Sequence, residues 1–234
     1  MSYTLYYWQA PFRGNFIRLL LCDASQAYSE VDPSEILRIK NLPVDEQALP
    51  SMAPPFLMDE TSGQFLSQLP AIVLYLAQKL ELYPEDAYKA AVGTKLLLDA
   101  NDVLAELTNY NGSYMWEEKL WKAFRATRLK RWMEIFEACG RQFGLQAESG
   151  FMLDAQQISF ADHATYALWG SMIHYLPELE KDLKTNAPLV YNLCQRIGAR
   201  PNLQGFLTEQ SKRVDGNYCG GQIERSIRSM LALS

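Results

Sequence analysis

Ala53-Pro-Pro-Phe-Leu-Met-Asp-Glu-Thr-Ser-Gly-Gln-Phe-Leu-Ser-Gln-Leu-Pro-Ala-Ile72 is the stretch on which the fold turns. Two short apolar runs, Phe56-Leu-Met58 and Gln64-Phe-Leu66, flank Asp59-Glu-Thr-Ser-Gly63, whose Asp, Ser and Gly are turn formers, so the pattern predicts a β-hairpin. From Leu69 to Leu80 the pattern turns helical, with Ser67 as the expected N-cap and Pro70 tolerated in the first turn. Hairpin and helix together close a small α/β unit.

Working back from the proline pair, Asp32 to Met52 holds three prolines and reads as irregular. Tyr28 to Val31 is a short strand. Arg13 to Gln26 carries Ile17, Leu20, Leu21 and Ala24 at helical spacing, and Tyr3-Thr-Leu-Tyr-Tyr-Trp8 is rich in strand formers. The order is β-α-β, irregular, β-β-α. A strand, crossover helix and parallel strand demand a right-handed connection, and the hairpin adds antiparallel strands to the same sheet. This is a thioredoxin-like α/β arrangement.

Working forward, Glu81 to Tyr88 is a linker broken by Pro84. Beyond it the chain is helical: Ala90 to about Tyr114, Glu117 to Gly140, Ser159 to Tyr175, Ala187 to Gly198, a short turn after Pro201, and Ile223 to Leu233. The 234 residues therefore divide into a thioredoxin-like N-terminal domain over 1–82 and an all-α C-terminal domain over 88–234.

Composition narrows the function classes. Apolar residues make up 48% of the chain, enough to fill a core, and the net charge of −5 makes phosphate backbones and anionic lipid poor partners. The basic residues Lys119, Lys122, Arg125, Arg128 and Arg131 recur every three positions with aromatics between them, and on an acidic chain this reads as a solvated helix face or subunit contact. The four cysteines (22, 139, 194, 219) form no C-x-x-C, and two histidines, His163 and His174, do not complete a zinc site. No basic n-region precedes an apolar stretch, and no apolar run reaches the ~18 residues of a membrane span. The expected setting is cytoplasmic, with reduced thiols, no metal, no membrane and no nucleic acid.

Six pieces of the chain together resemble the cytosolic glutathione transferases over nearly the whole length: Tyr7-Trp8, Arg13-Gly-Asn-Phe-Ile-Arg18, Ala53 to Asp59, Gln68-Leu-Pro-Ala-Ile72 with Tyr75-Leu76, Ile158-Ser-Phe-Ala-Asp162, and Ala199-Arg-Pro-Asn-Leu203. The likeness is to the tyrosine-type, mu- and pi-like classes and to bacterial or fungal relatives. It implies glutathione as co-substrate, a hydrophobic small molecule as second substrate, a homodimer and a role in detoxification.

What the resemblance implies for single residues differs in strength from what the residues say alone. Tyr3, Leu5 and Tyr7 share one strand face, so Tyr7 by itself reads as a core aromatic. The resemblance sets Tyr7 beside the glutathione thiol, where a phenolic hydroxyl favours thiolate over thiol; Tyr6 is the fallback. Trp8 adjoins it. Arg13 stands where a pi-like enzyme presents a guanidinium to a glutathione carboxylate, while Arg18 reads as a surface charge or a carboxylate's partner. Lys40 is the basic candidate of the 32–52 stretch.

Ala53, Pro54 and Pro55 match the cis-proline turn that pairs with the tripeptide backbone, and the sequence leaves open which proline is cis. Gln68 matches, but Leu69 stands where the resemblance calls for a serine, leaving Ser67 and the helix N-terminus to receive the γ-glutamyl carboxylate. Asp102, or Asp99 nearby, would reach the partner subunit's glutathione. Tyr110 and Tyr114 would wall the electrophile pocket, and Ser159 to Asp162 reads as a capping box. The reading that follows is conjugation of glutathione to a hydrophobic electrophile. A non-catalytic ligand-binding or structural protein of the same fold, or a glutathione-dependent isomerase, is the alternative.

Overall fold

Alternation along the first strand decides which face of the sheet is buried. In the computed structural model, which describes residues 2–233, Ser2–Tyr6 forms β1, with Tyr3 and Leu5 fully buried and Thr4 and Tyr6 half-buried. Helix α1 (Phe12–Asp23) crosses to β2 (Ala27–Glu30), which runs parallel to β1. After α2 (Pro33–Lys40), the hairpin β3 (Phe56–Asp59) and β4 (Gln64–Ser67) joins antiparallel, and α3 (Leu69–Lys79) closes the unit. The strand order is β2-β1-β3-β4. α1 and α3 pack together over the face that carries Tyr3 and Leu5.

Register brings three chain segments to one end of this sheet. Tyr6 lies opposite Phe56, and Phe56 lies opposite Ser67. The exit of β1, the entry of β3 and the exit of β4 are therefore neighbours. The Pro54–Pro55 peptide bond is cis, so Pro55 is the cis-proline.

Two expectations for this half are corrected. The 32–52 stretch is not irregular throughout: α2 forms there, capped by the Asp32 carboxylate, which accepts from the Ser34 N–H at 2.8 Å. Only Ile36 of that helix is buried, so its apolar stripe was too thin to read. Ser67 does not cap α3. It ends β4, and the cap position falls to Gln68, which has φ 72° and makes no side-chain cap bond.

The remaining elements are helices. α4 (Ala87–Leu107) starts at Asp86, whose carboxylate takes the Lys89 N–H, and ends in α5, a left-handed turn at Asn109–Gly112. α6 (Glu118–Phe124) and α7 (Lys130–Gln142) are one rod interrupted by a π-helical turn at Arg125–Leu129. α8 (Phe160–Thr165) and α9 (Ser171–Tyr175) are likewise joined by a π turn at Tyr166–Gly170. α10 (Glu180–Asn186), α11 (Pro188–Gly198), α12 (Pro201–Val214) and α13 (Gly221–Leu231) complete the chain.

α10 had no counterpart in the sequence reading. The "short turn" after Pro201 is a 14-residue helix burying only Leu203, Gln210 and Val214, too sparse a stripe for periodicity to reveal. Three residues of the basic row, along α6 and the π turn that follows it, meet acids: Lys122 pairs with Glu118, Arg125 with Asp182 and Arg128 with Glu106.

The capping box is present, with the Ser159 N–H donating to Asp162 at 2.8 Å and the Ala161 N–H to the Ser159 hydroxyl at 3.3 Å. It seats α8 in the core, where Phe160, Ala161 and Ala164 pack against α4. A polar clasp ties α1 to this core. Asp23 accepts from His163 Nε2 at 2.8 Å and from Arg200 Nε at 2.8 Å, while Asn202 donates to the Asp23 carbonyl at 2.8 Å. No described helix is long and apolar enough to cross a membrane.

Candidate active site

The loop leaving β1 is built around a buried cation. Arg18, fully buried on α1, grips the Glu30 carboxylate with Nε at 3.0 Å and Nη2 at 2.7 Å. Its remaining donors reach back to the Trp8 carbonyl at 2.7 Å and the Ala10 carbonyl at 2.8 Å, so one guanidinium fixes the backbone on which Tyr7 stands. Gly14 completes the fit. A Cβ there would lie 2.5 Å from Tyr7 Cδ1 and against the Arg18 guanidinium, so no larger residue is accommodated.

Tyr7 is 6% exposed, and its hydroxyl faces the Arg13 backbone N–H and guanidinium. Burial pushes its pKa up to about 12, with Arg13 and Arg18 pulling the other way. The phenol is therefore protonated at neutral pH and acts as a hydrogen-bond donor. Arg13 is held from two sides: Nε donates to Asn101 on α4 at 3.3 Å, and Nη2 donates to Asn111 in the left-handed turn at 2.7 Å. Its guanidinium also stands 4.9 Å over the Phe12 ring. Desolvation lowers the Arg13 pKa. Asn109, Tyr110 and Asn111 all have positive φ, a run that costs about 1–2 kcal/mol per residue for side chains beyond glycine. This strain sits at the residue that orients Arg13.

The expected site residues divide by location. Tyr7 and Arg13 meet, and strand register sets Ala53 to Pro55 and Ser67-Gln68 at the same sheet end. Pro55 is buried, Pro54 and Ser67 half-buried, Ala53 and Gln68 exposed. The Leu69 side chain is 1% exposed and belongs to the core, leaving only its backbone to face the sheet end. Trp8 packs half-buried against the core, and Tyr6 points across the sheet, edge-on to Phe65.

Lys40 is exposed at the end of α2, and Asp102 is exposed on α4 one residue beyond Asn101, which is the residue that meets Arg13. Asp99 pairs with Lys95 at 2.5 Å. Tyr110 and Tyr114 lie edge-on to each other at 6.5 Å and are 69% and 66% exposed. Among the described residues there is no cluster of His, Cys, Asp or Glu that suits a metal ion.

Four contributors escaped the sequence reading: Arg18 as a scaffold, Asn101, Asn111 and Tyr218. Glu30, of opposite charge and one strand away, was the available signal for Arg18. Asn111-Gly112 was the signal for the left-handed turn, since asparagine and glycine tolerate positive φ. Tyr218 had no local signal. It lies in the connection between α12 and α13, and its ring meets Phe12 edge-on at 5.5 Å.

Comparison with known proteins meets this geometry at both scales. The model for the glutathione S-transferase C-terminal domain matches residues 92–230. Glutathione S-transferase alpha-1 of Rattus norvegicus is 26% identical over 217 residues, covering 90% of each chain. Glutathione S-transferase A3 of Homo sapiens is 27% identical over 214 residues, covering 89% of each. A solved pi-class glutathione S-transferase of Onchocerca volvulus superposes with a TM-score of 0.75 at 22% identity, covering 93% of this chain and all of that one, and shows that the folds agree. The mixed sheet, the helices that follow it and a family match spanning more than half of the sequence place this chain in the glutathione S-transferase family.

Proposed function

We propose that this protein is a glutathione transferase that joins the glutathione sulfur to a hydrophobic electrophile, with Tyr7 stabilising the thiolate. The observation that carries the reading is the buried Tyr7 hydroxyl facing Arg13 at the end of the sheet, next to the cis-proline. A protonated phenol and a guanidinium at one point are a hydrogen-bond donor and a positive charge for a sulfur anion. Each lowers the thiol pKa, and each unit of lowering is worth about 1.4 kcal/mol of thiolate stabilisation. The thiol proton passes to solvent and the thiolate attacks the electrophilic carbon. As the carbon–sulfur bond forms, the bond from that carbon to its leaving group, or the π bond of an activated alkene, breaks. Its electron pair leaves with the displaced group or moves onto the neighbouring atom, with proximity supplying the rest of the acceleration.

In this reading residues 1–82 bind glutathione and residues 88–234 hold the electrophile, with Tyr110 and Tyr114 at its entrance. Trp8, Ala53, Pro55, Ser67, Gln68 and the Leu69 backbone line the tripeptide, Lys40 lies at its periphery, and Asp102 serves a partner subunit in a cytoplasmic homodimer. Arg13 is assigned to the sulfur rather than to a carboxylate, because two asparagines already hold its guanidinium. Turnover of a model electrophile tests this: Tyr7→Phe is expected to lower kcat/KM by about 10- to 100-fold at neutral pH, for one to two units of thiol pKa. Equal rates would remove Tyr7 from the mechanism.

Two observations favour a second reading, a binding protein with weak or absent chemistry. Pro54, immediately before the cis-proline, has no backbone N–H to offer the tripeptide, and the Leu69 side chain is committed to the core. Calorimetry with glutathione separates the two. Micromolar binding supports the transferase, and no binding below several millimolar supports the alternative.

A further inference from the structure

Tyr218 is fully buried, yet among the described residues its hydroxyl has no hydrogen-bond partner. A buried hydroxyl without a partner destabilises the free protein, and phenylalanine would pack the same ring without that penalty. Trp121, Trp132 and Trp169 also carry unpartnered indole N–H groups, but a tryptophan cannot shed its N–H and keep its ring. Tyrosine can be replaced by phenylalanine, so its hydroxyl calls for a reason.

The surroundings supply one. The Tyr218 ring is wedged between Phe12, edge-on at 5.5 Å, and Tyr175, stacked at 6.2 Å. Phe12 in turn lies under the Arg13 guanidinium. The charged and titratable groups that act on the hydroxyl are Cys219, Tyr7, Arg13 and Glu224. Two of these are the groups assigned to the glutathione sulfur. The backbone holding Tyr218 is also unusually constrained. The Glu224 carboxylate, 3% exposed, accepts from the Tyr218 N–H at 3.0 Å, from the Cys219 N–H at 2.9 Å and from the Gly220 N–H. Arg228 clamps that carboxylate at 2.7 Å and donates to the carbonyls of Gly216 at 2.6 Å and Tyr175 at 3.1 Å. A loop fixed in this way holds the Tyr218 ring in place.

We propose that Tyr218 is a second catalytic hydroxyl, donating a hydrogen bond to the glutathione sulfur beside Tyr7 and Arg13. The proposal rests on the reading of Tyr7 and Arg13 as the sulfur site. A thiolate accepts several hydrogen bonds at once, and a donor contributed by the C-terminal segment completes a three-sided cradle of Tyr7, Arg13 and Tyr218. No bond is made or broken at Tyr218; it acts by holding charge on sulfur until the carbon–sulfur bond forms.

The test uses the full-length protein and its Tyr218→Phe and Tyr7→Phe variants, saturated with glutathione. Thermal melting, the ultraviolet absorbance of bound thiolate against pH, and the pH profile of kcat/KM are recorded for each. Tyr218→Phe is expected to melt at or above the wild-type temperature. Its bound-thiol pKa should rise by about half to one unit, with kcat/KM falling about 3- to 10-fold at neutral pH and recovering at alkaline pH. Wild-type thiolate titration and rates in Tyr218→Phe would overturn the proposal while leaving Tyr7 intact. A bound-thiol pKa unmoved in Tyr7→Phe would instead overturn the sulfur-site reading, and this proposal with it.

Discussion

Replacing Arg18 with methionine is expected to destabilise the protein and disable the site together, because one buried cation supports both. The guanidinium is fully buried and makes four hydrogen bonds, two to Glu30 and one each to the carbonyls of Trp8 and Ala10. Methionine has similar length and fills most of the space, so the loss is electrostatic rather than a cavity. Removing one partner of a buried ion pair costs about 3–5 kcal/mol, since the other charge is left behind.

Glu30 retains some relief: its carboxylate is 16% exposed and Arg213 lies 3.6 Å away. The lower end of that range, about 3 kcal/mol, is therefore the expected cost. For a chain of this size each kcal/mol moves the melting temperature by about 2–4 °C, which predicts a fall of about 6–12 °C. Once the Trp8 and Ala10 carbonyls are released, Tyr7 is no longer held, and kcat/KM should drop at least tenfold at temperatures where the variant is fully folded. Calorimetric melting and steady-state kinetics at 15 °C check both parts. A variant melting within 2 °C of wild type, or one that melts early yet turns over normally, would refute the claim that Arg18 positions Tyr7.

Two further outcomes follow from the same contacts. Asn111→Gly relieves a left-handed backbone but deletes the acceptor for Arg13, so stability should change by less than about 1 kcal/mol while kcat/KM falls about fivefold; unchanged kinetics would show that Asn101 alone orients Arg13. At Asp23, burial by itself raises the carboxyl pKa, but hydrogen bonds from His163 and Arg200 outweigh it and leave the group below its ordinary value. A carboxyl with a depressed folded pKa stabilises above the unfolded value near 4 and loses that contribution as the pH falls through the lower folded value. Asp23→Asn should therefore cost about 3 kcal/mol at pH 7 and progressively less below pH 4. A melting-temperature gap that stays constant from pH 7 to pH 3 would contradict the clasp.

The two halves of the fold were unequally legible. Short strands with turn residues between them and a strongly periodic α4 declare themselves locally, because their buried faces recur at fixed spacing. α2 and α12 did not, since each buries too few side chains to leave a stripe. Ser67 looked like a cap because serine usually caps, but strand pairing with Phe56 claimed it first. Arg18 reads in the sequence as a surface charge or a carboxylate's partner, and the second holds: the neighbouring parallel strand carries Glu30, whose carboxylate makes burial of the guanidinium affordable.

Sequence alone determined the four strands with the helices after the first and the last of them, a mainly helical second half, the capping box and the inward direction of Tyr7, which continues the Tyr3–Leu5 alternation one residue beyond β1. These follow from periods of two and 3.6 residues and from turn chemistry, all local in the chain. Tertiary structure alone decided that Pro55 is the cis-proline, that Arg13 is gripped by Asn101 and Asn111, and that Tyr218 packs edge-on against Phe12 across more than two hundred residues. Such encounters depend on how helices pack and where a loop is pinned, and no spacing along the chain encodes them.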